Sequence, residues 1–280
     1  MPLRIGLVGA NIDRGWGFRA HVPAIRALRQ SKSADIALTA VATSRPESAR
    51  AAADATGAEP FTSAAALAAS PDVDLVVVTV KVPAHLDLVS AAQAAGKHVL
   101  CEWPLGLDVS EARAMNSRTT PSSRGFVGLQ ARMDPAASAL RDALADGQLG
   151  TLQAIDVRSS RTKGLEVPSE APRYTLDRRN GAGAREVHTG HVLDLADQIL
   201  GGIVVTAGSA IVHRKSYRLA GSDKQVAITA PDTVSLSFTA GRALGAALIW
   251  DGDELAETVV TIQGDLGDKY RWPPCRRSFN

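Results

Sequence analysis

A glycine-rich segment near the N-terminus has the residue types and spacing needed to bind a phosphate group. It follows an apolar run, Leu3 to Val8, and reads Gly9-Ala-Asn11-Ile-Asp-Arg-Gly15-Trp16-Gly17. Glycines at such a turn let the backbone approach a pyrophosphate, and the amides of the next helix then face its negative charge. Asn11 stands where the usual pattern has its second glycine, and asparagine tolerates a left-handed backbone conformation better than most residues do. Taken alone, the same glycines are equally consistent with a strand-to-helix turn that binds nothing.

The end of the second apolar run indicates which dinucleotide this turn would bind. An acidic residue there would accept hydrogen bonds from the adenosine ribose of NAD(H). The chain instead has Ser44 and Arg45, and its next carboxylate is Glu47. A hydroxyl and a guanidinium suit a 2′-phosphate, so we expect NADP(H) as the preferred cofactor and NAD(H) as the alternative. In the competing interpretation, Ser44 caps the next helix and Arg45 is a solvated loop residue.

Two histidines and an aspartate recur at a spacing of three residues, at His188, His191 and Asp194. Positions three apart share one face of a helix, as the ligands of a metal site would. Because no further ligand cluster accompanies them, we expect no metal. In the alternative interpretation, a histidine near the start of a helix only packs or caps it.

Alternating strands and helices must position these residues in the first part of the chain. The predicted strands are 3–8, 36–43, 74–80 and 98–101, and the predicted helices are 16–30, 47–56 and 84–95. This order predicts an α/β Rossmann domain with a parallel, doubly wound sheet over residues 1–123. Residues 126–129 are consistent with one more parallel strand, and 135–146 with a helix that Gly147 ends. Beyond residue 151, longer alternating runs with one clear helix at 187–200 predict an α+β domain with a mostly antiparallel sheet over residues 124–280.

The composition is that of a globular protein. Of its 280 residues, 45% are hydrophobic and 21% are charged, and the net charge is +2. Basic residues are scattered along the sequence, so we expect no nucleic-acid binding. No apolar stretch has the length of a membrane span or a signal peptide, and the two cysteines are far apart. We therefore expect a cytoplasmic protein that does not contact a membrane.

Several motifs together resemble one enzyme family. They are RIGLVGAN, VPAHLDLVSAAQAAGKHVLCEWPLG, GLQAR and GQLG. In this combination the chain resembles the Gfo/Idh/MocA oxidoreductases over about residues 3 to 264, and these enzymes act on sugars, polyols and related compounds with NAD(P). The segments GANIDRGWGFRAHVPAI, CEWPL, LQAR and GHVLD are most similar to the branch that contains a galactose-pathway transcriptional corepressor.

The resemblance implies roles for the residues at matching positions. Those implied at the cofactor diphosphate are Gly9, Asn11, Gly15 and Trp16. Those implied along the nicotinamide and its ribose are Val80, Pro83, His85, Glu102 and Trp103. Those implied at the substrate are Gln130, Arg132 and His188. The sheet of the second domain is implied to join two copies into a homodimer or a larger assembly.

Two positions depart from the family's catalytic pattern. Trp103 stands in place of the catalytic lysine, and an indole cannot exchange a proton near neutral pH; Val187 stands in place of the aspartate. His191 and Lys81 remain as the candidate catalytic residues for proton transfer. Two interpretations therefore stay open. One is an NAD(P)-dependent oxidoreductase acting on a sugar- or polyol-like CH–OH group, and the other is a non-catalytic NADP(H)-binding sensor.

Two segments do not fit the expected strand and helix pattern. Residues 116–124, NSRTTPSSR, interrupt a helix that the resemblance implies, and the tail after Gly267, DKYRWPPCRRSFN, breaks the strand pattern. We therefore expect a second domain that is shortened at its C-terminus and has an unpaired sheet edge. A third interpretation, a folded but inactive remnant, rests on this tail.

Overall fold

The computed structural model describes residues 1–162, 166–167, 171–252, 257–265 and 269–271. The chain divides into two compact units, Met1–Gly128 and Leu129–Asn280. The division lies after Gly128 rather than after residue 123, because the strand Gly125–Gly128 pairs in parallel with the strand His98–Glu102 of the first unit.

The first unit is built on one parallel sheet. Its strands are β1 (Leu3–Val8), β2 (Ile36–Ala42), β3 (Glu59–Phe61), β4 (Leu75–Val78), β5 (His98–Glu102) and β6 (Gly125–Gly128). They lie in the order β3-β2-β1-β4-β5-β6, and each adjacent pair is parallel. The helices between them are α1 (Val22–Gln30), α2 (Pro46–Thr56), α3 (Ala64–Ala69), α4 (His85–Ala94) and α5 (Val109–Asn116). The predicted Rossmann domain is confirmed.

Local sequence explains where these elements begin and end. On β4, Val76, Val77 and Val78 are at most 3% exposed, as expected for a strand with covered faces. Pro46 occupies the first turn of α2, where its missing amide costs nothing, and Gly57 ends that helix at φ +75°.

Three elements of the first unit differ from the sequence prediction. Strand β3 and helix α3 were not predicted, because three and six residues are too short for a clear periodic pattern. The helix predicted from residue 16 begins with a turn of π-helix, Gly17–His21, before α1.

The second unit contains a larger, mostly antiparallel sheet. Its strands are β7 (Leu152–Thr162), β9 (Val204–Ile211), β12 (Thr233–Ala240), β13 (Ala243–Gly252), β14 (Glu257–Gly264) and β15 (Lys269–Arg271). They lie in the order β15-β14-β7-β13-β12-β9. Among the described strand pairs of this sheet, only β7 and β13 are parallel. The helices are α6 (Pro135–Ala145) and α7 (Thr189–Leu200). The predicted α+β architecture is confirmed.

A small second sheet lies in the same unit and was not predicted. Its strands are β8 (Glu166–Val167), β10 (Ser216–Leu219) and β11 (Gln225–Ala227), in the order β11-β10-β8. Tyr217 and Val226 pair across β10 and β11 and are at most 5% exposed. They pack with Leu176 and Ile228 in a core separate from that of the large sheet.

One face of the large sheet carries exposed apolar side chains. Leu244 and Leu248 on β13 are 69% and 41% exposed, and Ile211 on β9 is 47% exposed. Such a surface is typical of a contact with another protein. The expected homodimer through this sheet stays a prediction, and sedimentation velocity would test it.

The two segments that do not fit the strand and helix pattern, 116–124 and the tail after Gly267, differ in what the structure describes of them. Helix α5 ends at Asn116, and Thr120 and Ser123 then form an isolated antiparallel bridge, so the 116–124 segment does interrupt the helix. Lys269–Arg271 of the tail pairs with β14, whereas residues 272–280 lie outside the described residues. No described helix is long and apolar enough to cross a membrane.

Candidate functional site

Three glycines shape the turn between β1 and the first helix. Gly9 has φ +97°, a conformation that side chains other than glycine rarely adopt. A Cβ atom at Gly15 would lie 2.6 Å from the carbonyl oxygens of Gly9 and Asn11. One at Gly17 would lie 2.5 Å from the hydroxyl of Thr79. The turn therefore fits a cofactor diphosphate, which needs the close backbone approach that only glycine permits. Gly17 was missed as a site residue, although the repeated glycine of Gly15-Trp-Gly17 was its signal.

Asn11 acts through its side chain and not through its backbone conformation. Its Oδ1 accepts hydrogen bonds from the amides of Asp13 and Arg14, at 3.1 and 3.2 Å. The non-glycine residue with a positive φ in the described chain is Lys32. Asn11 therefore does not use the left-handed conformation that asparagine tolerates, and its carboxamide closes the turn by accepting from the amides two and three residues on.

The helical turn after this loop offers its amides to an anion. No side chain caps the Gly17–His21 turn, and no acidic residue lies within it. The first amides of a helix have no partner within the helix and carry partial positive charge. Trp16, immediately before this turn, is 38% exposed, so its indole is accessible to a ligand.

The loop after β2 presents Ser44 and Arg45 to solvent. The Thr43 hydroxyl donates to the Arg45 carbonyl at 3.0 Å and pairs with the Ser48 hydroxyl at 2.6 Å, which fixes the loop. Arg45 is the N-cap residue of α2, and no side chain caps that helix. The alternative in which Ser44 caps α2 is therefore wrong. Both side chains are exposed and make no hydrogen bond with the described residues, so both are available to a phosphate.

His85 connects two backbone segments at the carboxyl end of the parallel sheet, the end at which the glycine-rich turn also lies. It is 1% exposed, and its Nε2 lies 3.0 Å from the carbonyl oxygen of Val80. Its Nδ1 lies 2.9 Å from the carbonyl oxygen of Pro104, which follows the cis peptide bond of Trp103. The imidazole therefore positions the backbone around Val80 and Trp103, and it is shielded from solvent itself. Pro83, in the turn between β4 and α4, is exposed.

Glu102, at the end of β5, is held by the glycine-rich helix turn. Its Oε1 lies 2.6 Å from Nε2 of His21, and both side chains are mostly buried. A Cβ atom at Gly128 would lie 2.9 Å from Oε2 of Glu102, so this carboxylate is packed on two sides. Lys81, at the start of the Val82–Ala84 turn, is exposed and already engaged in an interaction.

In the second unit, Arg132 is tied to α7. Its Nε donates to both carboxylate oxygens of Asp194, at 2.8 and 3.0 Å, and the Asp194 side chain is 10% exposed. A bidentate pair of this kind fixes orientation as well as charge. It fastens the short Gln130–Met133 turn to the helix that carries His191, while Gln130 itself is exposed.

His188, just before α7, is bonded to the large sheet. Its Nε2 lies 2.8 Å from the Ser159 hydroxyl, which in turn lies 2.6 Å from the Thr258 hydroxyl. Its Nδ1 is buried and has no hydrogen-bond partner among the described residues. Burial, with a contribution from Arg161, lowers the pKa of His188 to about 4, so the imidazole is neutral at pH 7.

A buried ion pair lies close to His188. Nε and a terminal nitrogen of Arg161 donate to the two carboxylate oxygens of Asp251, at 2.9 and 3.0 Å. The Asp251 side chain is 3% exposed. Burial raises the pKa of the Tyr174 hydroxyl, and the positive charge of Arg161 opposes this rise. The sequence analysis missed Ser159, Arg161 and Asp251, because none of them belongs to a recognisable motif.

The predicted site residues thus form one group in each unit. His191 is half-buried on α7, one helical turn after His188, and is engaged in an interaction. In the part of the chain that the structure describes, no three His, Cys, Asp or Glu side chains come together as metal ligands.

Comparisons with known proteins bear on the family. The model of the Gfo/Idh/MocA oxidoreductase family, an NAD-binding Rossmann fold, matches residues 3–123. Inositol 2-dehydrogenase of Rhizobium meliloti (strain 1021) is 32% identical over 293 residues, which cover 100% of this chain and 83% of that protein.

Two further relatives differ from each other in function. Dehydrogenase aclE of Aspergillus oryzae is 34% identical, over 71% of this chain and 55% of that protein. The galactose/lactose metabolism regulatory protein GAL80 of Saccharomyces cerevisiae is 25% identical, over 69% of this chain and 46% of that protein. The chain therefore spans about half the length of these two relatives.

Solved structures share the fold of the described residues. An oxidoreductase domain protein from Kribbella flavida is 27% identical with a TM-score of 0.85, and the match covers 97% of this chain and 73% of that one. The WlbA dehydrogenase from Bordetella pertussis, in complex with NADH and UDP-GlcNAcA, is 23% identical with a TM-score of 0.79, over 94% and 72%. Sequence and fold agree, and this chain belongs to the Gfo/Idh/MocA family of oxidoreductases, with its NAD-binding Rossmann fold.

Proposed function

We propose that this chain is an oxidoreductase that prefers NADP(H) and transfers a hydride to or from a CH–OH group of a sugar- or polyol-like small molecule. One observation carries the proposal. A turn that tolerates only glycine at three positions follows β1, and the loop after the neighbouring strand β2 carries the exposed Ser44 and Arg45. The turn suits a diphosphate, and the hydroxyl and guanidinium suit a 2′-phosphate.

The proposed roles of the residues follow from their surroundings. The bound nicotinamide would supply or accept the hydride. His191 would hold the proton of the reacting hydroxyl, because His188 is neutral and already bonded to Ser159. Arg132 would position α7 through its bond to Asp194, and His188 would position the same helix through its bond to the sheet. Gln130 would orient a substrate hydroxyl.

Replacing Arg45 by glutamine tests the cofactor preference. We expect the dissociation constant for NADPH to rise about tenfold, because a charge-assisted hydrogen bond to a phosphate contributes about 1.5–3 kcal/mol. Affinity for NADH should not change. The measurement is quenching of tryptophan fluorescence during titration with each cofactor. Arg50→Gln, an exposed arginine one turn further along α2, is the matched control. Tighter binding of NADH than of NADPH by the unaltered chain would refute the preference.

Replacing His191 by alanine tests the site of proton transfer. We expect turnover to fall about a hundredfold or more, the usual contribution of a positioned acid or base, while NADPH affinity is retained. His213→Gln removes an exposed histidine of the same unit and should leave turnover unchanged. If Lys81→Ala abolishes turnover and His191→Ala does not, the proton is handled by Lys81.

A second candidate function is a non-catalytic NADP(H) sensor. It is favoured by the absence of two catalytic groups, since Trp103 and Val187 occupy the positions of the family lysine and aspartate. The relatives also include a regulatory protein. Saturable NADPH binding with no turnover of any sugar or polyol in a broad screen would favour this candidate.

A further inference from the structure

Positive charge is concentrated in one part of the second unit. Residues 171–180 and 212–230 contain seven lysines and arginines and only two aspartates, against 31 basic and 29 acidic residues in the whole chain. The rest of the chain therefore has a net negative charge. The basic residues of this region are Arg173, Arg178, Arg179, Arg214, Lys215, Arg218 and Lys224.

An open cavity lies within this basic region. Its volume is about 470 Å³, and its lining residues are Asp177, Arg178, Arg179, Ala227 and Thr229. Small-molecule sites usually have volumes of about 300–1,000 Å³. The cavity is therefore large enough for a small anionic group and part of the molecule that carries it.

The turn that carries the two cavity arginines is held rigidly. The Asp177 carboxylate accepts from the amide of Arg179 at 3.0 Å, and the amide of Arg178 donates to the Thr229 hydroxyl at 3.0 Å. The turn ends at Gly181, which has φ +59°. A rigid backbone lowers the entropic cost of ordering the arginines around a ligand.

The two arginines differ in what their side chains contact. The Arg179 guanidinium pairs with Asp177 at 2.6 Å. The exposed Arg178 guanidinium makes no ion pair with the described residues and leaves an unneutralised charge at the cavity. Arg218 stands on the same face of the small sheet as Ala227, because it pairs with Gln225, two residues before Ala227. A further positive charge thus lies on the sheet face that carries Ala227 of the cavity lining.

We propose that this cavity binds the phosphate or diphosphate group of a small molecule and, resting on the proposed oxidoreductase function, that the substrate carries this group. The Arg178 guanidinium is not neutralised, and the Arg179 guanidinium can exchange its bond to Asp177 for a bond to a ligand. Two such groups suit a multiply charged anion better than a neutral sugar. The same segment packs against the start of the helical turn that carries His188, because a Cβ atom at Gly183 would lie 3.8 Å from the carbonyl oxygen of Thr175. The anion would thus be held close to the elements that carry the histidines.

Calorimetric titration with inorganic pyrophosphate tests this site, with NaCl added to constant ionic strength. We expect saturable binding by the full chain that weakens about tenfold in Arg178→Gln. Arg141→Gln, an exposed arginine of α6, should bind as the unaltered chain does. In the background of Gly15→Ala, which fills the dinucleotide turn, adding Arg178→Gln should still weaken binding about tenfold, and this separates the cavity from that turn.

Three results would overturn the proposal. They are no saturable binding, equal binding in Arg178→Gln, and equal affinity for the dicarboxylate malonate, which would remove the assignment to phosphate. Each leaves the proposed oxidoreductase function standing, because NADPH titration and turnover measure that function separately. Conversely, loss of NADPH binding with pyrophosphate binding intact would refute the cofactor proposal and leave this site in place.

Discussion

Replacing Gly15 by alanine is expected to weaken cofactor binding about a hundredfold or more while the chain stays folded. The added Cβ would lie 2.6 Å from the carbonyl oxygens of both Gly9 and Asn11, which is closer than real Cβ atoms approach. Both obstacles are backbone atoms, so the loop has to move, and the amides that face the diphosphate move with it. A hydrogen bond to a charged group contributes about 1.5–3 kcal/mol, so the loss of two such bonds to the diphosphate weakens binding about a hundredfold or more. We therefore expect the NADPH dissociation constant to rise by about that factor or more.

The control for this variant is a glycine of the same unit that faces open space. Gly96 has φ +70°, a Cβ added there would have no atom within 4 Å, and asparagine tolerates that conformation. Gly96→Asn should bind NADPH as the unaltered chain does. Circular dichroism should show that both variants remain folded. An unchanged NADPH affinity in Gly15→Ala would mean that the glycine-rich turn does not bind the cofactor.

The order of elements was predictable because most of it depends on local signals. An apolar run ending in Gly9 indicated β1, and Pro46 indicated the start of α2. The small sheet was not predictable, because β8 and β10 are short and pair Glu166 with Arg218 across 52 residues of sequence. No local pattern encodes such a pairing, since it depends on where the rest of the second unit places the two strands.

The candidate site was predictable where a backbone requirement selects one residue type. Gly9 and Gly15 are such residues, since any side chain would collide with the backbone or adopt an unfavourable φ. The environment of His188 was not predictable. Its partner Ser159 lies 29 residues away, and Thr258 lies 99 residues beyond Ser159. Three ordinary polar residues gain a shared role only once the sheet brings them together.

The environment of His188 leads to a large pH effect on stability. Its pKa is lowered from 6.5 to about 4 in the folded chain, mainly by burial. The unfolded chain therefore binds a proton at this position between pH 6.5 and 4, while the folded chain does not. The contribution of His188 to the free energy of unfolding is complete above pH 6.5. It falls as the pH decreases towards 4, because proton binding stabilises the unfolded state. At about 1.36 kcal/mol per pKa unit, the loss at pH 4 is about 3 kcal/mol.

Urea unfolding of the unaltered chain and of His188→Gln, at pH 7.5 and at pH 4, measures this contribution. Glutamine can still bond to the Ser159 hydroxyl but does not titrate. All other titrating groups are common to both chains, so their effects cancel in the difference. We expect the free energy of unfolding to fall about 3 kcal/mol less in His188→Gln than in the unaltered chain between the two pH values. An equal fall in both would mean that folding does not lower the pKa of His188, and His188 would then compete with His191 as the residue that transfers the proton.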